Sequence, residues 1–172
     1  VCSIRHVPEH TDPGEVLAGS IGFLISKLGM TSAHAFAETL APLGIDPRHF
    51  GILRIIAMSE GPSQQRLGEA LAVPPSRMVA LIDDVEERGL VERRRNPNDR
   101  RAHAIHLTAK GRKLYDRAVE KAGAFEEKLC AGLSETERAQ LLGLLHRLAV
   151  TQSNVPVGSH PGLGGADPPH AP

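Results

Sequence analysis

Apolar residues recur along this chain at helical spacing, and the breaks between the stretches fall at proline, glycine and capping residues. Ile21, Leu24, Ile25, Leu28 and Ala35 give one apolar face to a long helix that runs to about Leu40, where Pro42 and Gly44 end it. Asp46-Pro47 suits the start of a second helix, because Asp can accept from the first free backbone N–H groups and proline fits the first turn. That helix turns Phe50, Leu53, Ile56 and Ala57 inward and stops by Gly61-Pro62. Ser63 can cap a third, whose stripe is Leu67, Ala70 and Leu71 and which ends at Ala72-Val73. Pro74-Pro75-Ser76 opens a fourth, with Met78, Leu81, Ile82 and Val85 at i, i+3, i+4 and i+7 and a stop at Arg88-Gly89. The order is helix, turn, helix.

The pattern then changes. Leu90–Arg93 and Ala104–Leu107 are short β-compatible runs separated by a charged, turn-rich stretch around Asn96-Pro97-Asn98, which predicts a hairpin. Thr108 caps a further helix carrying Leu114, Ala118, Ala122 and Phe125 to about Leu129. Ser134 with Glu137 forms a capping box, followed by a wide apolar face of Leu141, Leu142, Leu144, Leu145 and Leu148 that one small lobe could not bury alone. Residues 1–13 predict a flexible arm, and residues 151–172, rich in Pro and Gly, a disordered tail. Between them, residues 14–150 form one domain.

Composition narrows the class. At 41% hydrophobic and 23% charged residues the chain can offset the entropy of ordering, and with 3% aromatics and no Trp its core must be aliphatic, which suits packed helices. A mainly α fold with a small β-hairpin wing follows. Net charge is zero, so the total says nothing about nucleic acid. Local clustering does: between Arg93 and Arg101, the five arginines Arg93, Arg94, Arg95, Arg100 and Arg101 stand against Asp99 alone. Arginine's fixed fork of donors grips phosphate, and its weakly hydrated cation enters narrow minor grooves.

Other chemistry finds little support. Cys2 and Cys130 are far apart without metal-ligand spacing, which argues against zinc or a disulfide framework and fits a reducing cytoplasm. His103 and His106 would face opposite sides of a strand, so no metal is expected there. No apolar run approaches a membrane span, and the start VCSIRHVPEHTDPGE has no signal-like apolar core. With no Gly-rich phosphate loop, nucleophile elbow or HExxH motif, neither an enzyme nor a cofactor is expected.

The segments SQQRLGEALAV, PPSRMVALIDDVEERGLVERRRNPNDRRAHAIHLTAKGRKL and the two helices after them resemble the MarR family of bacterial regulators over about residues 15–150. ERGLVERR, NPNDRR and LTAKGRKL are the most specific pieces. The resemblance implies a winged helix-turn-helix of about residues 46–108, flanked by dimerisation helices at 15–40 and 109–150, that binds double-stranded DNA as a homodimer. It implies that the helix opened by Pro75-Ser76 reads the major groove and that Arg101, oriented by Asp99, enters the minor groove, while Arg100 sits on phosphate. Ser63, Gln64, Ser76, Arg77, Arg93, Arg94 and Arg95 are the further candidate DNA contacts. It also implies a small aromatic or anionic effector, for which Lys27, His34, His49, Phe50 and Arg54 are the candidates. One departure stands out: where relatives often carry polar side chains in the reading helix, this chain has Val79 and Ala80, then Asp83-Asp84. Few direct base contacts are therefore expected.

Two function classes compete with a ligand-responsive repressor acting on a pseudo-palindromic operator. One is a winged helix used only for dimerisation or protein contact, which would have no use for clustered hairpin arginines. The other is an enzyme, which lacks every motif above.

Overall fold

The structure, a computed structural model, describes residues 20–96 and 99–151, with side chains other than those of residues 96 and 99–102. The expected arm, the expected tail and the turn at Pro97-Asn98 lie outside the described residues. Two compact units divide between Ala35 and Phe36, inside the first helix. Helix α1 spans Ile21–Leu40, and Ile21, Phe23, Leu24, Ile25, Leu28 and Met30 are exposed on it.

In the larger unit a 3-10 turn, Ala41–Leu43, follows α1 and ends at Gly44 with φ +70°. Helix α2 spans Pro47–Ala57 and is capped by Asp46, whose carboxylate accepts from the N–H groups of Arg48 and His49. Helix α3, Gln64–Leu71, starts where the Ser63 hydroxyl accepts from the Arg66 N–H at 3.2 Å. Ala72, with φ +51°, turns the chain into α4, Pro75–Glu87. An antiparallel hairpin follows, β1 Val91–Asn96 with β2 Asp99–Leu107, paired from Val91↔Leu107 to Arg95↔His103. Helices α5, Ala109–Leu129, and α6, Glu135–Thr151, complete the order.

Most expected inward residues are inward. Leu53 and Ile56 of α2, Leu67 and Leu71 of α3, Met78, Ile82 and Val85 of α4, and Leu90, Val91 and Ile105 of the hairpin close one buried core. Each such side chain contributes about 2 kcal/mol by leaving water. Ala70 departs from expectation: it is exposed, and Gly68 faces inward instead. The reason is space, since a Cβ on Gly68 would meet the Val73 carbonyl of the turn at 3.1 Å.

The caps read from sequence at α5 and α6 are present. The Thr108 hydroxyl accepts from the Gly111 N–H at 3.0 Å, and Ser134 and Glu137 bond reciprocally. The first turn of α5 is locked to the segment that joins α4 to β1. Thr108 donates its N–H to the Leu90 carbonyl at 3.1 Å and its hydroxyl to the Gly89 carbonyl at 2.7 Å, while Lys110 Nζ reaches the Arg88 carbonyl at 2.7 Å. Gly111 is required here, because a Cβ would fall 1.8 Å from the Leu90 carbonyl oxygen. Beyond this contact the leucine face of α6 stays open, with Leu141, Leu142, Leu144, Leu145 and Leu148 all exposed.

Candidate nucleic-acid interface

Helix α4 buries Met78, Ile82 and Val85, so the opposite stripe is its outward face. Ser76, Val79 and Ala80 lie exposed on that stripe in the first turns, and Arg77 is half-buried beside them. The free N–H groups of a helix N-terminus and the positive end of its dipole favour phosphate, so this half of α4 can approach a DNA backbone. Ser63 spends its hydroxyl capping α3, which leaves its N–H and the adjacent half-buried Gln64 at the start of that helix.

The arginines of β1 do not share one environment. Strand alternation puts Arg93 on the same face as buried Val91, toward α4. Its guanidinium donates to Asp83 Oδ1 at 2.5 Å and to Glu86 Oε2, and its N–H donates to Glu86 Oε1 at 3.2 Å. Sequence offered Arg93 as a DNA contact alongside its neighbours; strand alternation sets it apart from Arg94 but not from Arg95, and only the carboxylates of α4 distinguish those two. Arg94 lies on the other face, where Glu92 accepts from it at 2.5 Å, and at 60% side-chain exposure that pair is readily exchanged for another anion. Arg95 is exposed. Asp99, Arg100 and Arg101 belong to β2 by backbone, and their side chains lie outside the described residues.

The carboxylates that looked out of place on a reading helix are occupied. Asp84 Oδ2 lies 2.9 Å from His49 Nε2 and 3.4 Å from Arg88, whose other arm donates to the Gly44 carbonyl at 2.6 Å. His49 Nδ1 lies 3.2 Å from the Asp46 backbone nitrogen and 2.9 Å from the Asp46 carboxylate, while Nε2 faces Asp84. His49 thus completes the cap of α2 and ties it to α4. Burial pushes the Asp46 carboxyl up, but hydrogen bonds from the His49 ring and from the N–H groups of His49 and Arg48 outweigh it and hold the pKa at about 2.

The remaining effector candidates divide between the units. Lys27 and His34 are exposed on the first part of α1, and Arg54 is exposed at the end of α2. Phe50 is half-buried and packs edge-on to Phe36 at 5.6 Å and stacked on Tyr115 at 6.1 Å, with Phe125 5.3 Å from Phe36. Four of the chain's five aromatic side chains therefore meet in one cluster. Cys130 is no reactive thiolate, since desolvation and the Glu126 carboxylate push its pKa up. Among the described residues no group of His, Cys, Asp and Glu is arranged to hold a metal, and no helix is long and apolar enough to cross a membrane.

A helix-turn-helix with an exposed second helix and an adjoining basic hairpin defines a winged-helix, DNA-binding transcription regulator. Known proteins agree. The MarR family profile matches residues 43–102. The chain is 32% identical over 157 residues to a putative transcriptional regulatory protein for the hcr operon of Thauera aromatica, covering 88% of this chain and 95% of that one. It resembles CouR from Rhodococcus jostii RHA1 bound to p-coumaroyl-CoA at 33% identity and a TM-score of 0.68, over 77% of this chain and 93% of that one. It also resembles the transcriptional repressor CouR bound to a 23-mer DNA duplex at 29% identity and a TM-score of 0.73, over 82% and 99% of the two chains. The chain belongs to the MarR family.

Proposed function

We propose that this chain is a cytoplasmic, homodimeric repressor that binds a pseudo-palindromic operator and releases it when an aromatic, anionic effector binds. The observation that carries the reading is the exposed N-terminal half of α4 beside the exposed Arg94 and Arg95 of the wing. The open leucine face of α6 supports the dimer, because apolar surface of that extent is normally covered. Two-fold symmetry then sets the half-sites roughly 10 base pairs apart. On each half-site Ser76 and Arg77 meet the groove edge, Val79 and Ala80 offer an apolar strip suited to thymine methyl groups, and Arg94, Arg95 and Arg100 neutralise phosphates. Arg101, oriented by Asp99, enters the minor groove.

The effector reading rests on the aromatic cluster around Phe50 and on the CouR relative, whose ligand, p-coumaroyl-CoA, is both aromatic and anionic. An aromatic acyl thioester of coenzyme A is the class assigned here. p-Coumaroyl-CoA is expected to lower operator affinity and raise the melting temperature, whereas coenzyme A alone does neither; no response to the thioester would reject this class.

Titrating operator and random duplexes at several salt concentrations tests the DNA reading. Arg100→Ala should weaken both duplexes alike and reduce the salt slope by about 1, since it removes one phosphate contact. Arg101→Ala should cost about 1–3 kcal/mol chiefly on the operator. Equal losses on both duplexes for the two variants would remove Arg101 as the reading residue.

A further inference from the structure

We infer that Arg93 is a positioning residue: it fixes the wing against α4 and touches no DNA itself, so operator discrimination depends on it while the number of phosphate contacts does not. The inference rests on the reading that α4 and the wing bind DNA. Three bonds run from this one strand residue to one helix, two from the guanidinium to Asp83 and Glu86 and one from the backbone N–H to Glu86. Asp83 and Glu86 stand three residues apart, and therefore on the same side of α4 one turn from each other, which matches the span of the guanidinium fork. At 26% side-chain exposure Arg93 is well covered, and its strand neighbours on that face are Val91, which is buried, and Arg95.

A phosphate contact would require Arg93 to abandon both carboxylates, leaving two negative charges on the element that must approach a polyanion. Held as they are, those charges are neutralised from within. The wing also needs such a hold, since a two-stranded hairpin alone is marginal in water. The described backbone adds one tie outside the hairpin, from the Ile105 N–H to the Pro62 carbonyl at 3.0 Å. Asp84, bonded to His49 and Arg88, fixes the same helix on its other side. The acidic half of α4 is thus a mounting, with the wing on one bracket and α2 on the other.

The test compares the full chain with Arg93→Ala, Arg93→Lys, the double variant Asp83→Asn with Glu86→Gln, and Arg95→Ala, each titrated with operator and random duplex across salt. Removing two acids from a DNA-binding surface would tighten binding if charge alone mattered. Positioning requires the opposite: the double variant loses about tenfold in its operator-to-random ratio while random-duplex affinity holds or rises. Arg93→Ala loses a similar factor with its salt slope unchanged, Arg93→Lys recovers only part because a point charge cannot bridge both carboxylates, and Arg95→Ala drops the slope by about 1. A tighter operator complex in the double variant, or a slope falling by about 1 in Arg93→Ala, overturns the inference. Hydrogen exchange on the free protein decides the clamp apart from any DNA: the Arg93 amide should exchange at least about tenfold faster in the double variant, and unchanged protection there sinks the clamp even if the parent binds no operator.

Discussion

The lobe formed by α2 to β2 and the terminal helix α6 are built from similar aliphatic residues, yet one hides them and the other does not. In the lobe, Ile52, Leu53, Leu67, Met78, Ile82 and Val85 are fully covered within a single chain. On α6, Leu142 and Leu144 are more than half exposed. The difference separates two sources of stability: the lobe carries its own core, whereas α6 depends on whatever covers it, which in our proposal is a second copy of the chain.

The sharpest way to break this contrast is to truncate one side chain in each region. Met78→Ala should lower unfolding free energy by about 3 kcal/mol at every protein concentration, because it opens a cavity in a closed core. Leu144→Ala should act through association, making the melting temperature fall more steeply on dilution; an effect independent of concentration would place α6 with the lobe. Next in size is Gly111→Ala, where the added methyl must displace the Leu90 carbonyl. A loss of about 2 kcal/mol in denaturant unfolding is expected, and a neutral result would mean that α5 stands off from the lobe.

Asp46→Ala tests the lobe's polar edge. Because the folded pKa of about 2 lies below the ordinary aspartate value, the carboxylate's contribution is present in full above about pH 4 and is lost as pH falls toward 2. With Asp46 about half exposed, solvent screening reduces that contribution to about 1 kcal/mol, so parent and variant should differ by that much at pH 7 and converge near pH 2. A gap that does not change with pH would leave only the cap's neutral hydrogen bonding. The smallest effect is Ala72→Gly, expected to raise the stability of the lobe by about 0.5 kcal/mol by relieving φ +51°, and readable as a small upward shift in melting temperature.

Local signals were legible in the sequence wherever a residue acts on its own neighbourhood. Ser63, Thr108 and the Ser134–Glu137 box cap the helices they mark, and the Met78–Ile82–Val85 stripe is the buried face of α4. What sequence concealed depends on chain-distant partners. Arg93, Arg94 and Arg95 look alike as a run, but α4 supplies carboxylates to one of them only. His49 looked available for an effector, yet Asp84, 35 positions along the chain, takes its second nitrogen. A closer reading of Asp46-x-x-His49 as a capping box would have found half of that arrangement; the other half needs the fold. At Asp99, Arg100 and Arg101 the reading remains the sequence's own.

The contact at Gly111 works as a joint without play. The first turn of α5 holds Arg88, Gly89 and Leu90, the three residues through which the chain leaves the reading helix and enters the wing. No side chain intervenes to cushion the approach, so a turn of α5 about its axis is passed directly to the base of both DNA-facing elements. In the repressor we propose, an effector that twists this shaft would move both members of the grip together without touching either.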